Sequence, residues 1–164
     1  VSAPSADGRD GALPPRGQWS RLWALADRAE VCAAARELAS GLRLEPVAPP
    51  ESGLVLLALR DGVAGVPFHL GDMPAARVAV RLRTGDGRSA EGGAIVGGED
   101  LELAQAIAVL DAVLAHGLPG SERARASLRR GAARAAEIDR RRALLLARTR
   151  VDFQGFAELA GDPG

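Results

Sequence analysis

Between Arg77 and Arg83 the chain alternates strictly, with Val78, Val80 and Leu82 set between Arg77, Ala79, Arg81 and Arg83. Successive side chains of a strand point to opposite faces, so this pattern commits the segment to a sheet with one dry and one wet face. Neighbouring segments supply partners. Leu54 to Leu59 is an apolar run bounded by Gly53 and Asp61-Gly62, Val66 to Leu70 follows, and Gly93 to Val96 completes the set. Turn chemistry at Asp61-Gly62, Gly71-Asp72 and Thr84-Gly85-Asp86-Gly87 predicts short connections and therefore an antiparallel meander, with a turn separating Val66–Leu70 from Arg77–Arg83. Leu42 to Val47 adds a strand that Pro46 confines to an edge.

Helices flank this sheet. Trp19, Leu22, Trp23 and Ala26 recur at i, i+3, i+4 and i+7, one face of a short helix. Asp27 with Glu30 forms a capping box that starts a second helix, whose Val31, Ala34, Ala35 and Leu38 share a face and which stops at Gly41. Helix-turn-helix docking on DNA is disfavoured, because the opposite face mixes Arg28 and Arg36 with Glu30 and Glu37. A third helix from about Asp100 lines up Leu103, Ile107, Leu110 and Leu114 until Gly117 and Pro119, leaving Asp111 off the stripe. The last helix, about Ser121 to Arg148, has sparse apolar residues, and Gly131 reads as a break in it. The predicted fold is α+β: a small antiparallel sheet of about four strands flanked by N-terminal and C-terminal helices.

The 164 residues, 47% of them hydrophobic, suffice for one core. Residues 1–17, rich in Gly, Pro, Ser and Asp, read as a disordered N-terminal arm without the apolar run of an export signal, and residues 18–164 as a single domain. The 21 basic residues balance 21 acidic ones, so net charge demands neither nucleic acid nor an acidic membrane as partner. All the basic residues are Arg, a preference that goes with abundant Ala and Gly and with a GC-rich genome rather than with anion binding. Charge is uneven all the same: residues 122–150 hold 10 Arg against 3 acids. That segment keeps open a rival reading as a basic-helix nucleic-acid-binding module, although 3% aromatics leave few stacking surfaces. Cys32 is the lone cysteine, which excludes a disulfide framework and a cysteine-ligated cluster and points to a reducing cytoplasm. No apolar run is long enough to span a bilayer.

Catalytic chemistry is hard to find in the chain. Gly97-Gly98-Glu99-Asp100 could be offered as a phosphate-cradling loop, but Glu99 would repel a phosphate and Asp100 is better placed as a helix N-cap. His69 and His116 have no ligand spacing, and no motif gathers Ser, His and acid into a nucleophile site. No catalytic, cofactor-binding or metal-ligating residue is assigned.

Glu51-Ser52-Gly53-Leu54-Val55, Phe68-His69-Leu70-Gly71-Asp72, Arg77, Val78-Ala79-Val80-Arg81-Leu82 and Thr149-Arg150-Val151-Asp152-Phe153 form an ordered series. From about Trp19 to Asp162 the chain thereby resembles the PhnG family, a subunit of the bacterial carbon-phosphorus lyase system. The resemblance implies a cytoplasmic accessory subunit with no cofactor of its own, assembled with PhnI-like, PhnH-like and PhnJ-like subunits and a PhnL-like protein. In that assembly the PhnI-like subunit displaces adenine from MgATP with a phosphonate, giving ribose 1-alkylphosphonate 5-triphosphate. It implies subunit-interface roles for Phe68, Asp72, Arg77, Arg150, Val151, Asp152 and Phe153. Two departures stand out. The family's Gly-Arg-Asp is here Gly98-Glu99-Asp100, a charge reversal, and the aromatic that follows Val-Asp-Phe is displaced to Phe156 by Gln154-Gly155.

Overall fold

A computed structural model describes residues 13–148. A short 3-10 turn at Arg16–Gln18 leads into helix α1 (Trp19–Leu25) and helix α2 (Arg28–Ala39). Strands β1 (Arg43–Pro46), β2 (Glu51–Arg60), β3 (Pro67–Arg83) and β4 (Ser89–Gly97) follow, then helices α3 (Leu101–Ala115) and α4 (Ser121–Arg148). The architecture is the α+β arrangement that the alternation predicts, an antiparallel sheet with one face under helices.

The long strand β3 is the spine of the sheet. One edge pairs with β1 through Val80–Arg83 and, further along, with β2 through Pro67–Arg77; the other edge pairs with β4 through Ala75–Arg83. β1 and β2 thus lie end to end on one side, and β4 covers only half of the other. β1 sits at the edge where Pro46 requires it.

The predicted turn at Gly71-Asp72 is not a turn, and the two strands expected on either side of it are one. Gly71 pairs with Leu57 and His69 with Ala58, so Leu70 is left over as a bulge. Gly71 adopts φ 141°, which other residues rarely do. Pro74 is also accommodated. Its carbonyl accepts from Gly98 N on the side where β4 has just ended, so its missing N–H costs no ladder bond.

Ala76, Val78, Val80 and Leu82 of β3 and Ala90, Ala94 and Val96 of β4 form the dry face. On it lies α3, whose Ala104 and every residue from Ala106 to Leu114 are buried, because α1, α2 and α4 close over its far side. The single apolar stripe read from sequence understates this, and Leu103 is only partly buried. Asp27 accepts from Glu30 N and Asp100 from Leu103 N, so both N-caps form, while the Glu30 carboxylate that would close a capping box meets Arg130. Gly131 does not break α4. A side chain there would run into the backbone carbonyl of Leu22, so glycine lets α4 lie directly against α1.

Residues 13–17, which the sequence places in the arm, are part of the packing. Leu13 rests on the core, and Trp19 Nε1 donates to Pro14 O at 2.8 Å. The Arg16 guanidinium grips the buried carboxylate of Asp111 with Nε at 2.9 Å and Nη2 at 2.7 Å. Asp111 also accepts from Gly93 N on the open edge of β4, at 3.1 Å. Arg16→Ala is therefore expected to lower stability by roughly 1–3 kcal/mol, the cost of leaving a buried acceptor underserved, discounted because Arg16 is half exposed. Denaturant unfolding would test it, and an unchanged midpoint would show that solvent replaces Arg16 at no cost.

Candidate functional site

Because β3 outruns β4, residues 54–60 and 67–74 project as a two-stranded ribbon. Its tip is tied by Asp61, whose carboxylate accepts from Val63 N at 3.2 Å and Ala64 N at 2.7 Å. These backbone donors hold the Asp61 carboxyl below its usual range. Asp61 N donates to Val66 O and Gly65 N to Asp61 O, closing the loop.

Cross-strand partners share a face. Leu54 with Pro74, and Leu56 with Asp72, continue the face that α3 covers in the body of the domain. Val55 with Met73, Leu57 with Gly71, and Leu59 with Phe68 continue the wet face. Both faces of the ribbon carry exposed apolar side chains, and nothing among the described residues covers either, although Asp72 stands beside Leu56 on the first. At the base of the wet face Arg77 Nη2 meets Glu51 Oε2 at 2.6 Å, an exposed pair beside Ile95.

The interface residues inferred from sequence fall into two groups. Phe68 and Asp72 sit on the ribbon, on opposite faces, and Arg77 stands at its root. At about 3.3 Å per residue, Phe68 and Arg77 are some 30 Å apart, so they mark a line rather than a focus. Arg150, Val151, Asp152 and Phe153 lie outside the described residues. The apolar run Leu54–Leu59 was legible, but its exposure was not. A signal was present: in a sheet with one wet face, a strand apolar at both parities has one set of side chains too many.

Other chemistry is accounted for within the fold. The start of α3 is occupied by the chain's own Asp100, which also takes Arg28 Nε at 2.6 Å; that contact, then Leu103 N–H, draws its carboxyl below the usual range. Arg28 reaches Glu102 as well, at 2.6 Å. His116 Nε2 lies 3.2 Å from Glu91 O, on the open edge of β4. Among the described residues no group of three or more His, Cys, Asp or Glu could hold a metal ion, and no helix is long and apolar enough to cross a membrane. Several arginines of α4 are engaged: Arg123 with Glu37, Arg130 with Glu30, and Arg140 and Arg141 with Glu137. These pairs dilute the basic face that a nucleic acid would need.

The sequence profile of the family described as "Phosphonate metabolism protein PhnG" matches residues 14–157. A relative from Rhizobium meliloti (strain 1021), "Alpha-D-ribose 1-methylphosphonate 5-triphosphate synthase subunit PhnG", is 34% identical over 148 residues, covering 88% of this chain and 89% of the relative.

Proposed function

Since this chain belongs to the PhnG family, we propose that it is an accessory, non-catalytic subunit of the carbon-phosphorus lyase assembly that makes ribose 1-alkylphosphonate 5-triphosphate. The chemistry falls to a PhnI-like subunit. A phosphonate oxygen attacks the anomeric carbon of the ATP ribose, the bond from that carbon to adenine breaks, and adenine leaves with the electron pair and takes up a proton. The supporting observation is the ribbon: its exposed apolar side chains, Leu54, Leu56 and Phe68 among them, form an arm that a partner subunit can cover. Holding a partner in reactive geometry is a sufficient role, because misplacing reacting groups by about 1 Å can cost roughly a hundredfold in rate. PhnH-like, PhnJ-like and PhnL-like proteins complete the proposed assembly, which uses MgATP in the cytoplasm.

Adenine release from MgATP with methylphosphonate, followed by chromatography with 31P NMR of the product, tests this reading. The chain alone should be inactive. The PhnI-like subunit with its PhnH-like and PhnL-like companions should form the phosphonate adduct only when this chain is present, and without it should pass ribose to water. Turnover by this chain alone that a point mutation within it abolishes, or undiminished adduct formation without it, would refute the accessory role.

A further inference from the structure

We propose that the ribbon is clasped on both faces at once by a single, different polypeptide, the catalytic subunit of the assembly, through an apolar slot rather than a flat contact surface. This rests on the function proposed above and adds to it the mode of docking and the nature of the receiving surface.

The first observation is area. Leu54 is 68% exposed, Leu56 57%, Phe68 44% and Val63, at the tip, 98%. With Val55, Leu59, Val66, Leu70 and Met73 the ribbon offers, over its two faces and tip together, on the order of 900 Å² of apolar residue surface, close to one partner's share of a standard protein interface. The second is distribution. Register puts Leu56 on one face and Phe68 on the other, so a flat partner, or a second copy stacked face to face, would leave one row in water. Only a slot reaches both rows and the tip. The third is charge. From Leu54 to Pro74 the ionised side chains are Arg60, Asp61 and Asp72, too few for an electrostatic partner such as a nucleic acid or an acidic membrane and suited to a largely apolar slot with one polar or cationic group to meet Asp72 beside Leu56.

The face of Leu54 and Leu56 gives the slot one further property. It prolongs the surface on which α3 lies in the body of the domain, so the partner wall there takes the place of a helix layer that, among the described residues, does not extend beyond β4.

Single-cysteine labelling tests the clasp. Cys32 is buried, and burial pushes its thiol up, so its background reaction with maleimide is slow. Leu56→Cys and Phe68→Cys should both react quickly in the free chain. In the complex co-purified with the PhnI-like subunit both should slow by about tenfold or more. As a second readout, Leu56→Glu and Phe68→Glu should each weaken association about 30-fold or more, the scale of a lost anchor, while leaving the melting temperature of the free chain nearly unchanged. Protection of one face only would overturn the clasp. Free-rate labelling of both within an intact complex would remove the ribbon from the interface yet leave the accessory role standing. A free chain that dimerises at micromolar concentration and protects both positions by itself would make a second copy the occupant. Failure of the unaltered chain to associate with the PhnI-like subunit at all would sink the proposed function as well.

Discussion

Gly92→Val is expected to cost the domain about 3 kcal/mol or more, at the upper end of overpacking penalties, because what it strikes is backbone. Gly92 pairs with Val80 on the dry face of the sheet, directly under α3. A Cβ there would run into the carbonyl oxygen of Ala108, come within 2.5 Å of Ala112 N and within 2.8 Å of Ala112 Cβ. No rotamer relieves such a clash. The helix must lift off the strand, loosening Ile107, Leu110 and Val113, which are fully buried. Gly93→Ala is the control, since a Cβ at Gly93 meets only Val78 O, at 3.7 Å. Denaturant titration should show Gly92→Val shifted far below wild type and Gly93→Ala close to it. Coincident curves would mean that α3 does not approach the sheet this closely.

Trp23→Ala should lose about 3–5 kcal/mol, the range for emptying a large aromatic site. Trp23 is fully buried where α1 meets α4, with its ring edge-on to Trp19 at a centroid distance of 6.0 Å and an interplanar angle of 75°. Its Nε1–H finds no hydrogen-bond acceptor among the described residues. Part of the benefit of burying this ring is therefore already spent on a stranded donor. Trp23→Phe, which removes the donor along with some volume, should cost much less than Trp23→Ala, about 1.5 kcal/mol or under. Chemical unfolding followed by circular dichroism distinguishes the two. Equal losses for both substitutions would imply that the indole N–H is bonded after all.

Much of this fold was legible because it is locally encoded. The alternation through Arg83, the caps at Asp27 and Asp100, and the edge position enforced by Pro46 each follow from residues a few places apart. What escaped is non-local or ambiguous. Gly71-Asp72 suits a turn and a bulge equally, and only the register with Leu57 and Ala58 decides. Gly131 has the composition of a helix break, but the deciding neighbour, Leu22, is far away in sequence. The same holds for Arg16 and Asp111, separated by 95 positions, which extend the ordered fold back into the supposed arm. In the candidate site, resemblance singled out Phe68 and Asp72, yet their solvent exposure depends on where β4 stops, and strand length is among the least local of properties.

The contrast between the two free edges of the sheet has a consequence for how such a chain can be made. Beside β4, Asp111, Arg16 and His116 occupy backbone groups of Gly93 and Glu91 and blunt that edge against further pairing. Along the outer side of β2 no equivalent guard is present among the described residues, and Leu54 to Leu59 runs for six residues without a charge or a proline. A segment of that kind is a template for aggregation whenever it waits unpaired. Dose therefore matters beside fold: chain made in excess of whatever covers this edge is expected to aggregate more readily than chain made in step with it.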